Sequence, residues 1–141
     1  MPYRKATIRP FRAEDESRLF SLARESFGAQ DAWSDRTTIA GLETDTVFVA
    51  DLEGDQAGYV ALKREGDAVR IEQLLVSPHH EHEGIGRQLV EYAEGFAISE
   101  GAIRLQIVVE PDNRRALDFY ERRSFAPIAD DVLELALPQR Q

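Results

Sequence analysis

The sequence predicts an α/β (α+β) protein: a mixed, mostly antiparallel sheet with helices on both faces. Three observations lead there. Between residues 46 and 76, three apolar runs are separated by the turns Glu53-Gly54-Asp55 and Glu65-Gly66-Asp67, the pattern of an antiparallel meander. After the third run, Ile85, Leu89, Tyr92, Ala93, Phe96 and Ala97 recur at helical spacing. A further strand pattern follows at 103–109, so strand, helix and strand form a β-α-β unit, which requires a parallel, right-handed crossover.

In chain order, Ala6-Thr-Ile-Arg9 reads as a short strand stopped by Pro10. Ala13-Glu14-Asp15 opens a helix with acids in its first turn, and Leu19, Phe20, Ala23 and Phe27 form its buried stripe until Gly28 ends it. Residues 29–45 are polar, with a short helix expected from Thr37 to Leu42. The meander strands are Thr46–Ala50, Ala57–Leu62 and Ala68–Val76. Gly101 breaks the long helix, and apolar residues at 103, 105, 107 and 109 give the next strand one buried face. A helix over 114–123, capped by Asn113 or Asp112, and a closing edge strand over Val132–Leu137 complete the chain.

The chain has 141 residues and no linker-like tract or repeat, so a single domain over 1–141 is expected, burying about two thirds of its unfolded surface. A net charge of −9 argues against nucleic acid or an anionic membrane as partner, because both require a basic face. The same charge permits a cationic substrate. Absence of cysteine excludes disulfides, thiolate zinc sites and a covalent cysteine intermediate. The first residues lack the apolar core of a signal peptide and no apolar run reaches the roughly 18 residues of a membrane span, so a cytoplasmic location is expected.

The chemistry concentrates in two stretches. Ser77-Pro-His-His-Glu-His-Glu-Gly-Ile-Gly-Arg-Gln-Leu89 joins a strand to a helix through Gly84-x-Gly86. That layout aims backbone N–H groups and a helix N-terminus at one spot, where a diphosphate can sit. Asn113-Arg-Arg-Ala116-Leu-Asp-Phe-Tyr120-Glu-Arg-Arg-Ser-Phe125 reads as a second capped helix ending in aromatics.

Both stretches resemble the GCN5-related N-acetyltransferase (GNAT) family. Leu74-Leu75-Val76-Ser-Pro78, Gly84-Ile85-Gly86 and Leu89 are similar to its coenzyme-binding segment, and Asn113, Ala116, Phe119-Tyr120 and Phe125 to its C-terminal signature. The resemblance implies transfer of an acetyl group from acetyl-CoA, as co-substrate, to a primary amine by direct attack in a ternary complex. It implies coenzyme contacts from the strand Leu74, Leu75 and Val76, from His82, Glu83, Gly84, Ile85, Gly86, Arg87 and Gln88, and from Asn113, Ala116 and Tyr120. An amide-bearing arm can bind as an extra strand, and an N–H preset at a developing oxyanion stabilises it.

By the same resemblance Tyr120 is the general acid for the leaving thiolate, a neutral donor at pH 7. Glu72 is the candidate base, since attack requires a neutral amine; an edge-exposed or paired carboxylate is the other reading of that residue. Phe27, Trp33 and Tyr59 are expected to line the acceptor pocket or, equally, to pack a core. The loop at 29–36, with Asp31 and Asp35, is where the family shapes acceptor choice.

Two departures stand out. Glu81, His82 and Glu83 occupy positions where the family carries Gln or Arg, Gly and a basic residue, and carboxylates beside a diphosphate repel it. Arg87, Arg114 and Arg115 are the basic residues available to offset them. Ser124 replaces a glycine, at a cost on the order of 1 kcal/mol if its backbone is left-handed. The His79–Glu83 run is read as a solvated loop rather than a metal site, so no metal is expected. The acceptor is a small-molecule or peptide amine, and a homodimer, common for the fold, is left open at the exposed terminal strand. The rival reading is a catalytically degenerate GNAT domain serving as a regulatory or protein-binding module.

Overall fold

The computed structural model describes residues 5–27 and 46–138, with the side chains of Phe20 and of 23–27 outside the description. The elements are β1 (Thr7–Pro10), a 3-10 turn (Ala13–Asp15), α1 (Glu16–Phe27), β2 (Thr46–Leu52), β3 (Asp55–Glu65) and β4 (Ala68–Val76). A second 3-10 turn (Pro78–His80), α2 (Ile85–Ser99), β5 (Arg104–Val108), α3 (Arg114–Glu121), β6 (Ala126–Ala129) and β7 (Val132–Ala136) follow. The seven strands are hydrogen-bonded in the order β1-β2-β3-β4-β5-β7-β6. Among the described residues no helix is long and apolar enough to cross a membrane.

The chain divides into two compact units, one holding the described residues of Met1–Leu62 and Gln73–Tyr92, the other those of Lys63–Glu72 and Ala93–Gln141. In the first, Leu19 and Leu22 of α1 pack on Val47, Val49, Tyr59, Ala61 and Leu75. Phe48, on the opposite face of β2, meets Tyr92 of α2 with ring centroids 4.7 Å apart. Helices therefore cover both faces here, because side chains alternate sides along a strand. The β2–β3 hairpin turns on Glu53 and Gly54, both at positive φ (54° and 90°), a mirror-image turn that suits twisted strands.

Gly58 makes the tightest approach. A Cβ there would run into the Leu75 carbonyl oxygen and lie 3.2 Å from Val76 Cα and 3.3 Å from Leu89 Cδ1. Asp15, expected as a helix-dipole acid, is instead 1% exposed. It accepts two hydrogen bonds from the Arg9 guanidinium at 2.8 Å, one from Arg12 N at 2.8 Å and one from Gln56 Nε2 at 2.5 Å. Arg9 foremost holds its carboxyl below the usual range. The network ties β1 and the start of β3 to the α1 N-terminus.

In the second unit β4 and β5 pair in parallel from Ala68↔Arg104 to Ile71↔Ile107. β5 pairs antiparallel with β7, and β7 with β6. This corrects the closing edge strand: β7 lies between β5 and β6, and the edge belongs to β6, a strand that the sequence pattern does not reveal. All four residues of β6 are exposed, and its register shifts between Pro127 and Ala129. β1 likewise includes Pro10, paired with Phe48, rather than stopping before it. The third helix ends at Glu121, two residues early.

Gly58→Ala is expected to lower unfolding free energy by about 1–3 kcal/mol through overpacking against backbone. Gly95, exposed within α2 and with nothing within 4 Å of the place where a Cβ would stand, is its control. Gly95→Ala should raise stability by about 0.5–1 kcal/mol. Urea midpoints measure both, and a neutral Gly58→Ala would refute the close-approach argument.

Candidate active site

β4 alternates along its length. Ile71, Gln73 and Leu75 are buried, and Glu72, Leu74 and Val76 on the other face are half-buried. The parallel ladder ends at Ile71↔Ile107, while β4 runs on to Val76. Its other side stays tied down, with Ser77 N donating to Ala57 O at 2.8 Å. Glu72 has no hydrogen-bond or ion-pair partner among the described residues. Buried Gln73, unforeseen from sequence, accepts the Tyr59 hydroxyl proton at 2.5 Å. Tyr59 is fully buried in the α1-side core, and that burial raises its hydroxyl pKa.

Beyond Val76, Ser77 caps the 3-10 turn by accepting from His79 N through Oγ at 3.3 Å. His82 (φ 65°) and Gly84 (φ 80°) then bend the loop into α2. Gln88 N donates to Gly84 O at 3.1 Å, the first bond of the helix. The N–H groups of Gly84, Ile85, Gly86 and Arg87 therefore have no acceptor among the described residues, as at any uncapped helix N-terminus. The Ile85 side chain is buried, so only its backbone is available to a ligand.

Other expected contacts are engaged elsewhere. Arg87 Nε donates to Glu91 at 3.0 Å on the exposed face of α2. Gln88 grips the Ala6 backbone, accepting from its N at 3.2 Å and donating to its O at 3.3 Å. The His80 ring, in the same loop, places Nε2 2.6 Å from Asp55 Oδ2 and Nδ1 3.0 Å from Glu83 Oε2. Asp55 first, then Glu83, raises the His80 pKa above its ordinary value. Reciprocally, His80 lowers that of Asp55. Among the described residues no group of three or more His, Asp or Glu side chains could hold a metal ion.

In the second unit Asn113 caps α3, its Oδ1 accepting from Ala116 N at 3.2 Å. Tyr120 is 4% exposed, its ring edge-on to Phe119 and Phe125 at 5.0 and 5.3 Å. Its hydroxyl has no hydrogen-bond partner among the described residues, and burial raises its pKa. Ser124 has φ 72°, the left-handed backbone suspected at that position. The side chain of Phe27, and Trp33, Asp31 and Asp35 with the helix expected at 37–42, lie outside the described residues.

The sequence model of the acetyltransferase (GNAT) family matches residues 11–125. The chain belongs to that family. A mycothiol acetyltransferase of Jonesia denitrificans is 40% identical over 77 residues, 53% of this chain and 24% of that protein. A streptothricin acetyltransferase of Streptomyces lavendulae is 35% identical over 83 residues, 57% of this chain and 44% of that protein. The chain thus spans less than half the length of either.

Among solved structures, the PaiA N-acetyltransferase of Thermoplasma acidophilum in complex with coenzyme A aligns with TM-score 0.77 at 21% identity, covering 92% of this chain and 98% of that one. The ribosomal-protein-S18-alanine N-acetyltransferase of Escherichia coli aligns with TM-score 0.75 at 22% identity, covering 96% and 94%. At these identities the likeness is one of fold.

Ser124→Gly removes the left-handed strain and should stabilise the protein by about 1 kcal/mol, read from the urea midpoint. A drop in stability would show that the serine hydroxyl contributes more than its backbone costs.

Proposed function

We propose that this protein is an N-acetyltransferase that moves an acetyl group from acetyl-CoA to a primary amine by direct attack in a ternary complex. The observation that carries the reading is the run of N–H groups at Gly84–Arg87 without acceptors among the described residues, at the head of the fifteen-residue helix α2. These donors and the helix dipole suit a diphosphate. The length of β4 beyond Ile71, where its ladder with β5 ends, suits an amide-bearing arm added as a strand, with a backbone N–H within Leu74–Val76 polarising the carbonyl. Bound acetyl-CoA supplies the activated thioester.

The chain's own groups manage the protons. Glu72, half-buried and without a partner among the described residues, takes the proton of the attacking amine directly or through water. As the nitrogen–carbon bond forms and the carbon–sulfur bond breaks, Tyr120 gives its hydroxyl proton to the departing sulfur. Desolvation keeps the phenol neutral at working pH, so the proton is always present. Asn113 orders the head of α3, the helix that carries Tyr120. The acceptor is a small-molecule or peptide amine, and the net charge of −9 favours the approach of a cationic one.

Calorimetric titration with acetyl-CoA and with CoA tests the reading first. Micromolar binding supports it; no binding at millimolar coenzyme overturns it and leaves the degenerate-domain alternative. Thiol release can then be followed with a polyamine, an amino sugar and a peptide bearing a free N-terminus. With an accepted amine, Tyr120→Phe should lower kcat about a hundredfold or more while leaving the acetyl-CoA Kd nearly unchanged. Glu72→Gln should lower kcat/KM at neutral pH by a similar factor. Full activity in either variant removes that role.

A further inference from the structure

The charge of the acidic loop before Gly84 opposes the proposed ligand, and His80 lies between two carboxylates there. Both nitrogens of the His80 ring face carboxylate oxygens, Asp55 Oδ2 at 2.6 Å and Glu83 Oε2 at 3.0 Å. A carboxylate only accepts, and a neutral imidazole has one donor and one acceptor nitrogen. Satisfying both contacts therefore requires the imidazolium. Its position is fixed on each side. Ser77 caps the turn that ends at His80, and the left-handed His82 folds the chain back so that residues 80 and 83 meet. Asp55 is the first residue of β3.

We propose that protonated His80 is a positioning residue for coenzyme binding: it draws the Glu83 carboxylate back and neutralises it, leaving the adjoining Gly84–Arg87 N–H groups open to a diphosphate. This rests on the acetyl-CoA reading above. Without the proton, one contact turns repulsive and the loop gains a full negative charge beside the ligand. Among the described residues the ring's polar partners are Asp55 and Glu83. The other charges near them are Arg18 of α1, which acts on Asp55, and Glu81, His79 and His82 of the same loop. Because the His80 pKa is raised, the clamp is complete below the ordinary histidine range and is lost as pH rises through the raised value.

The experiment is calorimetric titration of the full chain with CoA from about pH 6 to about pH 8.5, for wild type, His80→Gln and Glu83→Gln, with ring-nitrogen NMR of His80 in parallel. Titration of the coenzyme's own phosphate is common to all three and cancels in the comparison. Wild-type Kd should weaken with rising pH by about fivefold more than in His80→Gln, the effect of one unit charge a few ångströms away in water. Glu83→Gln should bind as tightly as low-pH wild type and lose the excess slope. NMR should show both ring nitrogens protonated at the acid end. Equal slopes in all three proteins, or a neutral ring at about pH 6, overturn this proposal alone. Failure of wild type to bind CoA at any pH overturns the acetyl-CoA reading and this proposal with it.

Discussion

The absence of a side chain at Gly58 is the constraint on which the first unit depends. The Leu75 carbonyl, the Val76 Cα and the tip of Leu89 all crowd the place where a Cβ would stand. Ala57, one residue earlier, receives the Ser77 N–H. The end of β4, the start of the loop and the first turns of α2 are thus gathered around one point of β3. The direction in which the α2 N–H groups point follows from that packing. A glycine inside a strand signals such a close approach, and what approaches here is the end of β4 and the first turns of α2.

Two buried polar clusters hold the same unit from either end. Asp15 gathers four donors at the α1 N-terminus, and the Tyr59 hydroxyl meets Gln73 beneath α1. A satisfied buried polar group fixes geometry more narrowly than apolar contact does, because its cost when unpaired is high. β3 supplies Gln56 and Tyr59 to these two clusters and Gly58 to the close approach. The strand is therefore both the middle of the meander and the reference against which β4 is set.

Local signals carry most of the fold. The meander is legible because glycines mark both of its turns, and the β-α-β unit because its helical and strand periods are clean. β6 is not: Ala126-Pro-Ile-Ala has no alternation, contains proline and is exposed throughout, so nothing local distinguishes it from a loop. With β6 hidden, β7 reads as an edge. The site divides in the same way. The Gly84 loop, the Asn113 cap and the left-handed Ser124 can be read from near neighbours in sequence. Arg9 and Gln56 as partners of Asp15, Gln73 as that of Tyr59 and Asp55 as that of His80 lie 6 to 41 residues away, and no spacing rule reaches that far.

The outermost strands share an economy of form. β1 and β6 have four residues each, and each contains a proline, Pro10 in one and Pro127 in the other, beside a register shift in the latter. A proline offers no N–H, and a bulge breaks the regular row of acceptors, so neither border is a good template for another extended chain. Strand-by-strand growth into fibres is thereby discouraged at both ends of the sheet. Among the described residues β4 also runs on past the end of its ladder with β5, but that stretch lies inside the strand order and not at a border of the sheet.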